Sequence, residues 1–271
     1  MKENRKENRG QSPISGGSSG KSTAAKSGSD PDFLLVEDRG AVRVLTMNRP
    51  EKRNALNTAL TRGLLEGLRA ADAAETVACV VLTGAGQGFC AGADLSEFKD
   101  LTPEKQHLVE ERAELTMQLH LAFSKMAKPV VTALNGAAMG GGAGLAIAGD
   151  LAVMAESAKI GYPETRHGIV AAIVMANLVR QTGRKRAFEL VSLGEPLTAR
   201  QALEYGLVNR VVPDRDLMSE TFVLAEKLSN TKAEALRATK QLFHKVADLP
   251  LEEALKLGRE TNMRMRAFRK T

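Results

Sequence analysis

Two glycine-rich turns decide the fold of this chain. The first reads Thr83-Gly-Ala-Gly-Gln-Gly-Phe-Cys-Ala-Gly-Ala-Asp94, and the second reads Leu134-Asn-Gly-Ala-Ala-Met-Gly-Gly-Gly-Ala-Gly144. Each follows an apolar run, over residues 77–83 and 129–134, of the kind that forms a fully buried parallel strand. Such turns either tighten the chain and pack a helix against the sheet, or aim backbone N–H groups at one point. Two converging N–H donors would form an oxyanion hole.

Strands and helices alternate on both sides of these turns. Residues 33–37 and 41–47 are β-rich and are joined by Asp38-Arg39-Gly40, which predicts a hairpin. A helix with an apolar face follows, with Asn54 or Asn57 as its cap. Further helices are predicted over residues 103–126 and 140–148, and a further strand over residues 150–155. This alternation favours an α/β fold built from right-handed crossovers.

The C-terminal third is predicted to be almost purely helical. From residue 184 onward, apolar side chains recur with helical spacing. We therefore divide the chain into a disordered Ser/Gly/Lys-rich tail over residues 1–31, an α/β core over residues 32–205 and a helical oligomerisation subdomain over residues 206–271. The tail holds +3 of the net charge of +6, so the charge of the folded part does not indicate nucleic-acid binding.

Composition excludes several classes of protein. No run of about 18 apolar residues is present, so no membrane span is expected. Residues 1–30 lack the apolar segment of a signal peptide. Cys79 and Cys90 make no disulfide framework and fit a reducing compartment, so a cytoplasmic location is predicted. The histidines and cysteines show no metal-ligand spacing, and no metal site is predicted.

Five segments resemble the crotonase (enoyl-CoA hydratase/isomerase) superfamily, in the order in which its members carry them. They are Asn48-Arg-Pro-Glu-Lys-Arg-Asn-Ala55, Phe89-Cys-Ala-Gly-Ala-Asp94, Asn135-Gly-Ala-Ala-Met-Gly-Gly-Gly142, Pro163-Glu164 with Gly168-Ile169, and Leu197-Thr-Ala-Arg-Gln-Ala-Leu-Glu-Tyr-Gly-Leu-Val-Asn-Arg-Val-Val212. The resemblance runs from Phe33 to the C-terminus. It implies the crotonase-like ββα spiral core with a C-terminal helical subdomain, assembled as a homotrimer or a pair of trimers.

By this resemblance the substrate is an acyl-coenzyme A thioester, and no cofactor beyond that coenzyme A is needed. The thioester oxygen would accept hydrogen bonds from the N–H groups of Ala93 and Gly141. The remaining residues expected at the substrate are Ala91, Gly92, Asp94 and Gly140 in the two turns, and Lys52 and Arg53 near the phosphates of coenzyme A. Asp94 is expected to orient the first turn or cap the following helix rather than to transfer a proton.

The acid–base residues depart from the family's two-glutamate pattern. The position two residues beyond the glycine triplet, a glutamate in those hydratases, is Gly144 here. Glu164 remains, and an apolar surrounding would raise its pKa toward the working range. One carboxylate suffices for a Δ3,Δ2-enoyl-CoA isomerase. It also suffices for hydration of a 2-enoyl-CoA if another group holds the water. Hydratase is our first prediction, with the isomerase and a non-catalytic thioester-binding protein as alternatives.

Several other features carry weaker predictions. His167 is close enough in sequence to orient Glu164 or hold water in such a scheme, but a packed or exposed histidine is the more common case. Arg166 is suited to pairing with a carboxylate on the acyl group or with a surface glutamate. Cys90 has no histidine at a motif-fixed distance, so a small buried side chain is expected rather than a nucleophile. The family's short terminal helix is missing after residues 263–271, which predicts reduced thioester affinity. An RNA-associated protein is the remaining alternative and would use the basic tail; nucleic acid is not the expected partner.

Overall fold

An antiparallel hairpin begins the fold. The computed structural model describes residue 1, residues 32–99 and residues 102–267. Strands β1 (Leu34–Arg39) and β2 (Val42–Met47) pair in antiparallel register, and Gly40 gives the turn between them its positive φ of 60°. The predicted hairpin is confirmed. The disordered tail predicted over residues 1–31 lies, Met1 excepted, outside the described residues.

The main sheet continues from β2 through four further strands, each parallel to its neighbour. These are β3 (Cys79–Gly84), β5 (Val130–Leu134), β7 (Leu151–Ala155) and β10 (Arg210–Val212), in the spatial order β1-β2-β3-β5-β7-β10. Every residue of β3 and β5 is buried. This is the pattern of strands covered on both faces, and it confirms the two apolar runs as core strands.

Eight helices accompany the sheets in the described part of the chain. They are α1 (Thr58–Ala73), α2 (Gln106–Lys125), α3 (Gly141–Ala148), α4 (Met175–Leu193), α5 (Ala199–Glu204), α6 (Leu217–Ser229), α7 (Ala233–Val246) and α8 (Leu251–Ala267). Helix α1 buries its predicted stripe, with Leu60, Leu64 and Leu68 inside. The side chain of Asn57 accepts a hydrogen bond from the Leu60 N–H at 2.9 Å. Asn57, not Asn54, is therefore the cap.

A second, smaller sheet was not predicted. It contains β4 (Gly88–Cys90), β6 (Ala137–Met139), β8 (Lys159–Gly161) and β9 (Leu197–Thr198) in that order. The first three strands are parallel to one another, and β9 is antiparallel to β8. Strands of two or three residues are too short to show a hydrophobic period, so sequence patterning does not reveal them. Because β4, β6 and β8 are parallel, their carboxyl ends lie at the same edge of this sheet.

The described part of the C-terminal third is mostly helical, but it holds two short strands that the sequence did not predict, β9 and β10. Strand β10 lies beyond residue 205 and completes the main sheet. Helix α6 packs against β2, β3, β5 and β7, while α7 packs against α8 and α2. The division at residue 205 and the oligomerisation role of residues 206–271 stay predictions. Across the described residues, no helix is both long and apolar enough to cross a membrane.

Candidate active site

Three turns meet where the small parallel sheet ends. The chain leaves β4 into Ala91, Gly92 and Ala93, leaves β6 into Gly140 and Gly141, and leaves β8 toward Glu164. These strands are adjacent and parallel in the order β4-β6-β8. Their carboxyl ends consequently lie side by side, and the residues predicted from three distant sequence motifs come together at one edge.

Pairing of the first turn with Leu56 orients the amide of Ala93. The Leu56 N–H donates to the Gly92 carbonyl at 2.7 Å, and the Asp94 N–H donates to the Leu56 carbonyl at 3.0 Å. Successive amides in such a ladder point to opposite sides, so the N–H of Ala93 points away from Leu56. Among the described residues it donates to no backbone carbonyl.

The amide of Gly141 lies close to that of Ala93. A Cβ built on Gly92 would stand 3.4 Å from the Gly141 nitrogen, and one built on Gly141 would stand 3.8 Å from the Ala93 nitrogen. Gly141 is the first residue of α3, where an N–H has no partner within the helix and the helix dipole is positive. The two backbone nitrogens thus lie close together, and their action as an oxyanion hole stays a prediction.

Glycine is required where α3 meets the first turn. A Cβ at Gly142 would overlap the carbonyl oxygen of Cys90 and lie 2.6 Å from its Cβ. Gly92 adopts φ of 94°, and a Cβ there would lie 2.7 Å from the Met139 carbonyl oxygen. These two glycines let the turns approach within the distance that convergent amides need.

Glu164 lies beside the second turn. It begins the 3-10 helix Glu164–His167, and its Oε1 would be 2.9 Å from a Cβ on Gly140. Its Oε2 is buried and accepts no hydrogen bond from the described residues. Burial raises the pKa of Glu164 above its ordinary value, as expected for a proton-transferring carboxylate. Tyr162 is fully buried nearby, and its hydroxyl has no hydrogen-bond partner among the described residues. Burial together with the Glu164 charge raises its pKa.

A buried ion pair holds the first turn, and sequence reasoning missed its cationic partner. Arg49 donates to Asp94 Oδ2 at 2.9 Å and to the Ala55 carbonyl. The Ser96 hydroxyl donates to Asp94 Oδ1 at 2.6 Å. Hydrogen bonding from Ser96, with Arg49 adding to it, lowers the pKa of Asp94. These contacts tie Asp94 to Arg49 and to the start of the following 3-10 helix. Its role in orienting the turn or capping that helix, and its contact with substrate, stay predictions.

Asn54 is a second missed residue. Its side chain accepts from the Arg49 N–H at 2.9 Å and donates to the carbonyls of Ala85 and Gly88. The residue is completely buried and has a left-handed backbone with φ of 56°. Asparagine tolerates that conformation better than most residues. The motif from Asn48 to Ala55 contained the signal, but only its basic residues were assigned.

At Gly144, where the two-glutamate hydratases carry their second carboxylate, the side chains of Val174 and His120 occupy the space. A Cβ on Gly144 would overlap Val174 and lie 2.7 Å from Cε1 of His120. Gly144 is itself fully buried within α3. A longer side chain at residue 144 therefore needs both neighbours to move. His120 was not among the predicted site residues, because it lies on α2 in no recognisable motif.

The weaker candidates lie around this centre. Lys52 and Arg53 are exposed, and Arg53 borders the first turn because its carbonyl accepts the Ala91 N–H at 2.9 Å. Arg166 donates to the Leu193 carbonyl, and His167 is exposed. Cys90 is fully buried, and burial raises the pKa of its thiol to about 12, which does not suit a nucleophile. The described residues contain no cluster able to hold a metal ion.

Comparison with known proteins agrees with this geometry. The family model for enoyl-CoA hydratase/isomerase matches residues 37–270. The chain belongs to the enoyl-CoA hydratase/isomerase family. A Thermus thermophilus relative with an enoyl-CoA hydratase name is 39% identical over 232 residues, covering 84% of this chain and 90% of its own. The 1,2-epoxyphenylacetyl-CoA isomerase of Escherichia coli is 35% identical over 231 residues, covering 84% of this chain and 88% of its own.

A solved structure shows the same fold. The crystal structure of an enoyl-CoA hydratase from Mycobacterium smegmatis superposes with a TM-score of 0.82 at 31% identity, covering 86% of this chain and 90% of that one. The resemblance drawn from five motifs and the predicted crotonase-like α/β fold are thus confirmed. The chain is an enzyme of the enoyl-CoA hydratase/isomerase type.

Proposed function

We propose that this enzyme adds water across the double bond of a 2-enoyl-CoA thioester. One observation carries the proposal: the backbone nitrogens of Ala93 and Gly141 and the half-buried carboxylate of Glu164 lie at the edge where β4, β6 and β8 end. Such donors act on negative charge that develops on a carbonyl oxygen, and the carboxylate acts on a proton beside that carbonyl.

In the proposed mechanism, Ala93 and Gly141 hold the thioester oxygen. Addition at the β-carbon moves the double-bond electrons toward this oxygen and forms an enolate. The two N–H groups bind the enolate more strongly than the neutral thioester, and this difference lowers the barrier. Glu164 takes a proton from the attacking water and delivers a proton to the α-carbon. Removing one donor of this kind typically costs about 10² to 10³ in rate.

The remaining parts of the proposal concern coenzyme A, assembly and location. Lys52 and Arg53 are exposed next to the first turn and would meet the phosphates of the coenzyme. Coenzyme A enters with the substrate, and the proposed chemistry uses no further cofactor. We assign the chain to a homotrimer or hexamer on family grounds. The free, buried Cys79 and Cys90 are consistent with a cytoplasmic location.

Isomerisation of a 3-enoyl-CoA to the 2-enoyl form is the second candidate. The packing of Val174 and His120 against Gly144 favours it, because this packing leaves no room for a second glutamate at residue 144. The carboxylate of Asp94 in the first turn is already paired with Arg49. A single base that removes a proton and returns it two carbons away completes this reaction. A relative named for isomerisation of a different acyl-CoA, 1,2-epoxyphenylacetyl-CoA, shows that the family is not confined to hydratases.

The deciding experiment follows the enoyl absorbance with two substrates. Purified protein is given crotonyl-CoA or, separately, a 3-enoyl-CoA. Loss of the conjugated absorbance from crotonyl-CoA establishes hydration, and its appearance from the 3-enoyl substrate alone establishes an isomerase. The Glu164→Gln variant is expected to lose the activity by about 10² or more. Glu226→Gln changes an exposed glutamate of α6 and serves as the matched control.

Two results would redirect the assignment. Full activity of Glu164→Gln would remove Glu164 from the mechanism. Tight coenzyme A binding with no turnover of either substrate would favour a non-catalytic thioester-binding protein. RNA affinity that falls with salt and disappears when residues 1–30 are deleted would assign an additional role to the tail.

A further inference from the structure

His120 is a buried histidine whose two ring nitrogens have no hydrogen-bond partner among the described residues. It lies on α2 with only 8% of its surface exposed. An imidazole leaves one donor and one acceptor to satisfy, and burying them unpaired is costly. A leucine or phenylalanine would pack there without that cost. The ring is therefore a candidate for binding something polar.

Burial also fixes the protonation state of this ring. Desolvation lowers the pKa of His120 to about 4. At neutral pH the imidazole is therefore uncharged and offers one N–H donor and one nitrogen acceptor. A group of that type can orient a water molecule without drawing a proton from it.

The location of His120 relates it to Glu164 through α3. Its Cε1 would be 2.7 Å from a Cβ on Gly144, while Oε1 of Glu164 would be 2.9 Å from a Cβ on Gly140. The Gly144 N–H donates to the Gly140 carbonyl at 2.9 Å, so these glycines lie one helical turn apart. Four residues of helix rise by about 6 Å. The His120 ring thus lies against the point of α3 where the side chain of the absent second glutamate would begin.

Hydration needs a second polar group near Glu164. The attacking water must be held over the β-carbon while one of its protons passes to the carboxylate. Glu164 Oε1 and Oε2 can accept that proton but cannot also fix the direction of the other O–H bond. In the described structure, the unpartnered buried polar atoms are Nε of Arg49, both ring nitrogens of His120, the Tyr162 hydroxyl and Oε2 of Glu164.

We propose that His120 is a positioning residue that holds the nucleophilic water against Glu164 during hydration. Its acceptor nitrogen receives one O–H of the water, and Glu164 receives the other. The water oxygen then bonds to the β-carbon, the π electrons pass to the thioester oxygen, and the transferred proton moves from Glu164 to the α-carbon. One molecule of water is added, and the carboxylate is regenerated. The inference rests on the proposed hydratase function.

The test compares hydration with isomerisation in the same variants, because isomerisation requires no water. His120→Leu keeps the size of the side chain and removes both nitrogens. We expect the ratio of hydration kcat to isomerisation kcat to fall by about tenfold, the rate equivalent of one neutral hydrogen bond. His120→Gln and His120→Asn each keep a polar amide group, but at different distances from the backbone. One of them should give a ratio of hydration kcat to isomerisation kcat between those of His120→Leu and the wild type. His107→Leu, an exposed histidine of the same helix, is the matched control.

The outcomes separate this inference from the proposed function. If the wild type does not hydrate crotonyl-CoA, the hydratase assignment fails and the role of His120 fails with it. If the wild type hydrates and His120→Leu lowers both reactions equally, His120 only shapes the fold or the cavity of about 550 Å³ that it borders between α2, α4 and α7. If His120→Leu does not fold, the Gln and Asn variants provide the test. The inference is overturned if both of them keep the wild-type ratio of hydration kcat to isomerisation kcat.

Discussion

Burial of Glu164 determines how the proposed reaction depends on pH. Because burial raises its pKa, this carboxyl ionises at a higher pH than an ordinary glutamate, whose pKa is about 4.3. The base must be ionised to accept a proton, so kcat/KM should fall as the pH decreases through the raised pKa. A pH–rate profile of the free enzyme measures that midpoint. An acid limb centred at or below the ordinary value would contradict the assignment of Glu164 as the base.

Breaking the buried ion pair between Arg49 and Asp94 should cause a large loss in the free energy of unfolding. Both side chains are 9% exposed. Arg49→Met leaves the Asp94 carboxylate buried without its cation, which typically costs about 3 to 5 kcal/mol in the free energy of unfolding. Urea denaturation measures this loss.

An exposed pair supplies the control for Arg49. Arg200 and Glu204 form an ion pair on α5 with side chains 89% and 56% exposed. Arg200→Met should cost less than about 1 kcal/mol, because water screens the pair. Replacing both partners, as Arg49→Met with Asp94→Leu, should recover part of the loss, since no buried charge then remains. If Arg49→Met and Arg200→Met lowered the free energy of unfolding equally, burial of the Arg49–Asp94 pair would not add to its contribution to stability.

At the scale of elements, the close packing of α3 on β4 should control the oxyanion site. Gly142→Ala places a methyl group against the Cys90 carbonyl, so α3 must move away and take the Gly141 N–H with it. We expect a loss of activity near that of one oxyanion donor, about 10², with reduced stability. Steady-state kinetics and thermal unfolding measure the two effects.

A glycine on another helix shows what the same substitution does without crowding. Gly258 lies in α8 with no atom within 4 Å of a Cβ placed on it. Gly258→Ala should raise stability by about 0.5 to 1 kcal/mol, because alanine is the better helix former, and should leave kcat unchanged. If Gly142→Ala behaved like Gly258→Ala, tight approach of α3 to β4 would not matter for catalysis.

The elements also show how far the sequence predicts this protein. The two buried runs could be predicted as strands, and they form β3 and β5, because local hydrophobicity carries that feature. Sequence patterning did not reveal β4, β6 and β8, which are three residues each. The small sheet that aligns the turns therefore could not be predicted from the sequence.

The site residues that were missed share one physical property. Arg49 reaches Asp94 across 45 positions of sequence, and His120 meets Gly144 from another helix. Such contacts depend on how elements pack, and no local spacing encodes them. Glu164, Ala93 and Gly141 could be predicted because a family motif surrounds each of them, whereas His120 has none.

At the scale of the whole molecule, the C-terminal helices leave large apolar side chains in water. Leu251 and Leu255 of α8 are 75% and 65% exposed, and Phe243 of α7 is 66% exposed. Leu251 and Leu255 are four residues apart and so share one face of the helix. Exposed neighbouring leucines of this kind are typical of surfaces that bind another protein chain. This supports the proposal that the helical end of the chain forms the oligomer interface.

Charges placed on this face should dissociate the oligomer. We expect sedimentation equilibrium to give the wild type about three or six times the 29.1 kDa chain mass. Leu251→Lys with Leu255→Lys should shift it toward the monomer, because burying two unpaired ammonium groups opposes association. Leu203→Lys, an exposed leucine of α5, is the control. A monomeric wild type, or a double variant that assembles normally, would contradict the interface.

Dissociation should also affect the two kinetic constants unequally. Ala93, Gly141 and Glu164 come from one chain and are held by strands β4, β6 and β8 of that chain. The reacting groups therefore do not require a neighbour, and kcat of the monomeric double variant should stay close to that of the wild type. A rise in KM for the thioester on dissociation would show that a neighbouring subunit helps to enclose coenzyme A. A large fall in kcat with unchanged KM would instead mean that assembly holds the edge of the small sheet in its reactive geometry.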